Sequence, residues 1–139
     1  MSAAFFDTNI ILYAADSDCP HPHKHEVARD LMRSRVITVS TQVMLETYSA
    51  MRRKLAYGPE MATHWVATLK DEIVITLGAQ DVISGIMKAR RFEISHWDGL
   101  ILHAAEIANM DVVYTEDLNH GQLYGPVRVC NPFIEDFLA

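Results

Sequence analysis

The sequence has few cysteines and no long apolar run, and each shortage excludes a class of protein. Its two cysteines, Cys19 and Cys130, are not spaced as metal ligands, so we expect neither a zinc site nor a disulfide framework. No apolar stretch approaches the roughly 20 residues that span a bilayer, and the N-terminus has no basic start of the kind that signal peptides carry. We therefore expect a cytoplasmic protein that does not associate with membranes.

Basic residues are also fewer than acidic residues. The chain has 12 Lys and Arg against 18 Asp and Glu, which gives a formal net charge of −6. Proteins that coat nucleic acids without sequence preference are usually basic, so this balance argues against such a protein. It does not argue against an enzyme whose acidic side chains bind cations. The 139 residues, half of them hydrophobic and without repeat or linker, predict a single domain over 1–139.

Short apolar runs alternate with helical patterns along the chain. The apolar and β-branched runs predict strands at 3–6, 36–40, 73–75, 112–114 and 127–129. The helical patterns predict helices from about 9, over 25–33, from 40 or 41 to 58, over 60–70 and 79–91, from 95 to about 109, and briefly around 132–137. Two prolines predict a loop over 19–23. The alternation favours an α/β sandwich with a mostly parallel sheet.

Acidic residues lie near the ends of the predicted strands. Asp7 directly follows the first strand, and Glu116 and Asp117 directly follow the fourth. Glu46 lies in the second turn of the helix after the second strand, and Asp98 lies in the first turn of the helix before the fourth. The carboxyl ends of parallel strands meet at one edge of the sheet, where ligands bind. We therefore expect these side chains to converge.

Converging carboxylates repel one another and need a partner. Two unit charges about 4 Å apart repel by roughly 4 kcal/mol at an effective dielectric constant of about 20, and a domain is stable by only about 5–15 kcal/mol. Protonation or a bound cation must relieve this repulsion, and hard oxygen ligands favour Mg²⁺ or Mn²⁺. A metal held in this way can activate water for attack on a phosphodiester.

Taken singly, most of these acids have a structural alternative. Asp7 is also a typical helix N-cap, Asp98 is the second half of a capping box that begins at Ser95, and Glu116 and Asp117 suit a turn. Glu46 is harder to explain in this way, because no basic residue lies at helical spacing from it. The joint pattern, and no single carboxylate, therefore points to a metal site.

The same segments resemble the PIN domain family, in order and over nearly the whole chain. The motifs that carry the resemblance are Phe-Asp-Thr-Asn at 6–9 with the following Ile-Ile-Leu-Tyr, Gln-Val-Met-Leu-Glu at 42–46, Ser-His-Trp-Asp-Gly-Leu-Ile-Leu-His-Ala-Ala at 95–105, and Tyr-Thr-Glu-Asp-Leu-Asn-His-Gly at 114–121. The resemblance implies a PIN-like three-layer sandwich in which helices flank a central, mostly parallel five-stranded sheet.

The resemblance also implies a chemistry and a set of residues. It implies an endoribonuclease that uses Mg²⁺ or Mn²⁺ to cut RNA and leaves a 5′-phosphate. Asp7, Glu46, Asp98 and Asp117 match the acidic quartet of the family, as metal ligands and catalytic residues.

Further positions match less completely. Asn9 and Thr115 match the supporting polar positions of the family, and Glu116 is a possible helper beside Asp117. The family often has another acid shortly afterwards, where this chain has Asn119 and His120. A second metal site is therefore expected to be weak, and one-metal and two-metal chemistry both stay open.

In its length the chain resembles the small VapC-type toxins of this family. This resemblance implies a protein partner as well as an RNA substrate. The expected partners are an RNA, either tRNA or mRNA, a cognate antitoxin of a type II toxin–antitoxin system, and a second copy in a homodimer. The alternatives are a non-toxin PIN nuclease in RNA processing and a catalytically inactive PIN binding module. A phosphatase or DNA nuclease with similar site chemistry stays open as well.

Two further features have a functional and a structural interpretation. Arg52, Arg53 and Lys54 could contact RNA phosphates, or they could form the solvated C-terminal end of a helix, which favours cations. Trp97 precedes Asp98. It could stack on a base, but packing against the sheet is the expectation here.

Overall fold

The structure, a computed structural model, describes residues 1–134. Helices and strands alternate along most of the chain. Their bounds are β1 (Ala3–Phe6), α1 (Thr8–Ala15), α2 (Pro22–Ser34), β2 (Val36–Ser40), α3 (Thr41–Lys54), α4 (Pro59–Leu69), β3 (Ile73–Ile75), α5 (Ala79–Phe92), α6 (His96–Ile107), β4 (Val112–Tyr114), β5 (Leu123–Tyr124) and β6 (Val127–Cys130).

The strands form one mostly parallel sheet, in the order β3-β2-β1-β4-β6-β5. The first five strands in this order pair in parallel with one another, and β5 pairs with β6 in antiparallel orientation. In the centre, Phe5 of β1 pairs with Thr38 on one side and with Val113 on the other. The α/β fold with a mostly parallel sheet flanked by helices is therefore confirmed.

The expected number of strands was wrong, because the sheet has six strands and not five. The additional strand, β5, has only two residues and forms a hairpin with β6. Its residues are too few to produce a recognisable apolar run in the sequence. Gly125 has φ 63° and supplies the positive φ that a two-residue hairpin loop favours.

The core lies along the central strands. Phe5, Phe6 and Val113 are fully buried, because parallel strands covered by helices are buried on both faces and carry continuous apolar runs. Leu102 of α6 and Met51 of α3 are also fully buried. Within residues 1–134, no helix combines the length and the apolar character that crossing a membrane requires.

Several predicted boundaries differ from the structure, and the helix predicted to end at 58 ends at Lys54. The loop predicted over 19–23 ends earlier, since α2 begins at Pro22 with His21 as its N-cap. Proline is tolerated at the first helical position, where its missing N–H has no partner in any case. Of the helix predicted around 132–137, residues 132–134 form a turn, and the remainder lies outside the described residues.

Helices α5 and α6 approach each other closely at two glycines. A Cβ atom on Gly99 would lie 2.3 Å from the carbonyl oxygen of Gly85 and 2.7 Å from Cβ of Ala89. The two helices are also joined by a contact of 2.8 Å between Nε2 of His103 in α6 and Oδ1 of Asp81 in α5. This contact fixes the helix that carries Asp98 in its first turn.

Candidate active site

The connections of the sheet reverse direction between its two central strands. From β1 the chain proceeds outward to β2 and β3, and it then returns to add β4 on the other side of β1. In open α/β sheets, ligands bind at the carboxyl ends of the strands at such a point. Asp7 directly follows β1, and its N–H donates to the carbonyl oxygen of Tyr114 at the end of β4 at 3.1 Å. The two strand ends are thus held together where the crevice forms.

Three aspartates meet at this crevice. Asp7, Asp98 and Asp117 each offer a carboxylate oxygen, and these oxygens all lie within 4.8 Å of one another. Ser95 fixes the start of α6, because its Oγ accepts from the backbone N–H of Asp98 at 3.0 Å. Glu46 lines the same cavity of about 450 Å³ together with the three aspartates. The structure therefore brings the four predicted acids into one cavity.

Asp7 is both a helix cap and a member of the cluster. Its Oδ1 accepts from the backbone N–H of Thr8 at 2.7 Å, and its Oδ2 accepts from the hydroxyl of Thr115 at 2.8 Å. The residue is only 5% exposed. Burial raises the pKa of Asp7 to about 7; the charges of Asp117 and Asp98 act in the same direction, and the two hydrogen bonds oppose them.

The pKa values of two other acids are raised as well. Burial raises the pKa of Asp98, and the charge of Asp117 adds to this effect. Burial also raises the pKa of Glu46, and the charge of Asp98 acts in the same direction, although Nε2 of Gln42 donates to its Oε1 at 3.3 Å. The cavity therefore brings together three carboxyl groups whose pKa values are raised.

Asn9 and Thr115 connect the acids of the two central strand ends. The side-chain amide of Asn9 donates to Oδ2 of Asp117 at 3.1 Å and to Oγ1 of Thr115 at 3.2 Å. Its carbonyl oxygen accepts from the backbone N–H of Glu116 at 3.3 Å. The hydroxyl of Thr115 also accepts from the backbone N–H of Asp117 at 3.1 Å. The supporting positions expected from the sequence are thus in hydrogen-bond contact with two of the acids.

Glu116 has its carboxylate in a separate network. Its Oε1 accepts from the hydroxyl of Tyr13 at 2.7 Å, and its Oε2 accepts from Nζ of Lys24 at 2.9 Å. It lines a smaller cavity of about 130 Å³ and is not among the three clustered aspartates. Sequence reasoning missed Tyr13 and Lys24, and no local signal could have found them because Lys24 is 92 residues from Glu116.

The segment after Asp117 offers no further acid to the cavity. The amide of Asn119 donates to Oε1 of Gln122 at 2.8 Å, and Nδ1 of His120 accepts from the backbone N–H of Asn131 at 3.0 Å. Over residues 1–134, the three aspartates form the one group of at least three side chains spaced to hold a metal ion.

The basic segment at the end of α3 is divided between two environments. Arg53 and Lys54 line the acidic cavity, whereas the guanidinium of Arg52 donates to the carbonyl oxygen of Tyr57 at 3.2 Å. Trp97 also lines the cavity and is 58% exposed. The expectation that Trp97 packs against the sheet was therefore wrong. Its position in the first turn of α6, directly before Asp98, was the signal for a side chain near the site.

The donor set suits a hard divalent cation. The clustered donors are carboxylate oxygens, which Mg²⁺ and Mn²⁺ prefer over nitrogen or sulfur. Asp7, Asp98 and Asp117 would hold such an ion, and its charge would favour the ionised forms of Asp7 and Asp98, which burial and mutual repulsion disfavour.

A pH-dependent stability follows from the buried carboxyl of Asp7. Between its ordinary pKa of 3.8 and about 7, the folded protein keeps a proton that the unfolded chain has lost, so stability falls as the pH rises through this range. We expect Mg²⁺ to raise the melting temperature more at pH 8 than at pH 5, because only the ionised site needs the cation. Thermal unfolding with Mg²⁺ and with a chelator measures this difference. An equal shift at both pH values would contradict it.

Comparisons with known proteins are in accord with this fold. The family model for the PIN domain matches residues 4–125. No curated protein matches the sequence. Among solved structures, the toxin VapC20 of Mycobacterium tuberculosis, described as cleaving the sarcin-ricin loop, superposes with a TM-score of 0.69 at 18% identity. The match covers 83% of this chain and 90% of that chain.

Two further structures superpose over most of their length. A toxin–antitoxin complex from Klebsiella pneumoniae gives a TM-score of 0.67 at 18% identity, covering 94% of this chain and 98% of the other. VapBC2 of Rickettsia felis, bound to a DNA fragment from its promoter, gives 0.60 at 15% identity, covering 91% and 96%. At these identities the similarity establishes the fold, while activity has to be argued from the site.

Proposed function

Because the chain belongs to the PIN domain family, we propose that it is a divalent-metal-dependent endoribonuclease that hydrolyses RNA phosphodiester bonds. The observation that carries this proposal is the cluster of Asp7, Asp98 and Asp117, whose carboxylate oxygens lie within 4.8 Å of one another. Glu46 lines the same cavity. A cluster of this kind repels itself unless a cation neutralises it, so its presence favours a working metal site over an inactive binding module.

The residues of the cavity have different proposed roles in metal binding and in the orientation of the ligands. Asp7, Asp98 and Asp117 would hold the ion, Mg²⁺ or Mn²⁺, with Glu46 as the fourth acid. When bound, such an ion lowers the pKa of water and offsets the charge that develops on the phosphate. Asn9 and Thr115 orient Asp7 and Asp117 through their hydrogen bonds.

Glu46 is the acid best suited to accept a proton. Burial raises its pKa, and a carboxylate with a raised pKa is a better proton acceptor near neutral pH. Its Oε1 is oriented by the amide of Gln42. We therefore assign to Glu46 the proton that the attacking water must lose.

We further propose that the protein is the toxin of a type II toxin–antitoxin pair and acts in the cytoplasm on tRNA or mRNA. Support comes from the similar fold of VapC20, a toxin that cleaves the sarcin-ricin loop, and of a toxin–antitoxin complex. The proposal includes a cognate antitoxin, a homodimer, and one nuclease domain over residues 1–139.

Purified protein tests the enzymatic proposal directly. Incubated with a panel of RNAs and Mg²⁺ or Mn²⁺, it is expected to release fragments with 5′-phosphate ends, and a chelator is expected to stop the reaction. DNA of the same sequences is the control substrate. Stabilisation by the metal without any RNA cleavage would contradict the nuclease assignment and favour a binding module.

Expression in bacteria tests the toxin proposal separately. Induction of the wild-type protein is expected to arrest growth, and the product of the adjacent gene is expected to restore it. A variant without cleavage activity is the control and should not arrest growth. Normal growth of cells that contain active enzyme would instead indicate a nuclease of RNA processing.

A further inference from the structure

Trp97 is an exposed aromatic side chain beside the acidic cluster. Its side chain is 58% exposed, and it lines the same cavity as Asp7, Asp98 and Asp117. The other large apolar residues of this cavity, Leu12 and Ile101, are buried. Across residues 1–134, Trp97 is therefore the one exposed large apolar side chain in the cavity. An indole combines a large apolar face with a polar N–H, which suits contact with a ligand.

Trp97 is held by one hydrogen bond to its backbone and by one aromatic contact to its indole. Nε2 of Gln42 donates to the carbonyl oxygen of Trp97 at 3.2 Å and also donates to Glu46. The ring of His96 packs against the indole with a centroid distance of 4.8 Å and an interplanar angle of 48°. The helix start that carries Trp97 is fixed by the Ser95 cap. These contacts preorganise the aromatic surface close to the carboxylate of Asp98.

Cations in the same cavity complement this aromatic surface. Arg53 and Lys54 line the cavity together with Trp97 and the acids. Lysine and arginine side chains bind phosphates, and aromatic faces stack on bases of any identity. A cavity of about 450 Å³ lies within the roughly 300–1,000 Å³ that small-ligand pockets occupy. The cavity thus combines the groups that recognise a single nucleotide.

We propose that Trp97 stacks on an unpaired base of the substrate RNA while Arg53 and Lys54 hold adjacent phosphates. This inference rests on the proposed function and assigns three side chains that contact its substrate. Bases in a duplex are stacked on their neighbours and present no free face, whereas bases of loops and single strands do.

Binding of a short single-stranded oligoribonucleotide tests the proposal without turnover. The measurement uses the full chain with Asp7→Asn, in Mg²⁺, so that cleavage does not obscure affinity. With Trp65→Phe added, Trp97 is the only indole of the chain, and its fluorescence is expected to be quenched by the single strand. Trp97→Ala is expected to lower the affinity about 10-fold or more, and Trp97→Phe should lose less because it keeps an aromatic face. Affinity for a blunt duplex of the same sequence should be unchanged by both substitutions.

The salt dependence of binding separates the aromatic contribution from the cationic one. Arg53→Gln and Lys54→Gln are each expected to reduce the slope of log affinity against log salt by about 0.7, whereas Trp97→Ala should leave the slope unchanged. Arg90→Gln removes the same charge from an exposed position on α5 outside the cavity, and it should leave the slope near its starting value.

The result that would overturn the proposal is an unchanged affinity for single-stranded RNA in Trp97→Ala. If that variant instead weakened self-association or binding of a protein partner, Trp97 would be a protein contact, and the proposal would be wrong. The proposed function fails independently: a wild-type protein that binds single strands through Trp97 but never cuts RNA would refute the nuclease assignment and leave the stacking assignment standing.

Discussion

Replacing Asp7 with asparagine is expected to lower the rate of RNA cleavage by at least about 1000-fold, which corresponds to roughly 4 kcal/mol of lost transition-state stabilisation. Asp7 is the most buried of the clustered aspartates, and its carboxylate lies within 4.8 Å of the carboxylates of Asp98 and Asp117. Asparagine removes the charge that draws the cation into the site. The change keeps the shape of the side chain, and its carbonyl oxygen can still accept from the N–H of Thr8.

The same substitution is expected to preserve the fold and to raise the melting temperature of the metal-free protein at pH 8. A rise of the pKa from 3.8 to about 7 places an unfavourable free energy on the order of 4 kcal/mol on the ionised form, which neutral asparagine avoids. Single-turnover cleavage and thermal unfolding measure the two effects. Asp71→Asn is the matched control, because Asp71 is exposed and lies before β3, at the opposite edge of the sheet. Full activity in Asp7→Asn would refute the assignment of the site.

Gly99→Ala is expected to destabilise the protein by about 3 kcal/mol and to lower its melting temperature by about 10 °C. The added methyl group would lie 2.3 Å from the carbonyl oxygen of Gly85. This neighbour is backbone, so the overlap can be relieved only if α5 and α6 move apart. Since Asp98 immediately precedes Gly99, the displacement would also move a carboxylate of the cluster and lower activity.

Gly58→Ala is the control for this prediction. A Cβ atom at Gly58 would have no neighbour within 4 Å, so only its role as N-cap of α4 is affected, at about 1 kcal/mol or less. Chemical denaturation gives the free energy of unfolding of both variants. Equal stabilities for the two variants would show that α5 and α6 are packed less closely than described.

The strands were predictable where local chemistry determines them. The run Val36–Ser40 contains mostly β-branched residues and forms a strand over those residues. The two-residue strand β5 was not predictable, because Leu123–Tyr124 has no such pattern and pairs only through its hairpin. Pro22 was predicted to lie in a loop, but it begins α2. A proline can end a helix or begin one, and tertiary packing decides between the two.

The candidate site was predictable as a set of residue types but not as a set of contacts. Asp7 and Asp117 follow adjacent strands, so their meeting followed from a parallel sheet. The direction of the Glu116 side chain did not follow, because its partners Tyr13 and Lys24 are distant in sequence. The exposure of Trp97 was also hidden, since an aromatic residue in an apolar segment most often packs inward.

The strand order has a consequence for the time at which activity can arise during synthesis. β1 is translated before β4, yet it becomes a central strand only when β4 pairs with it. The side-chain amide of Asn9 contacts both Asp7 and Asp117, although more than a hundred residues separate Asn9 from Asp117. A nascent chain that ends before β4 therefore cannot contain an assembled centre. The proposed activity would be acquired only after β4 and Asp117 have been synthesised, and a partner made earlier could meet each new molecule as it becomes active.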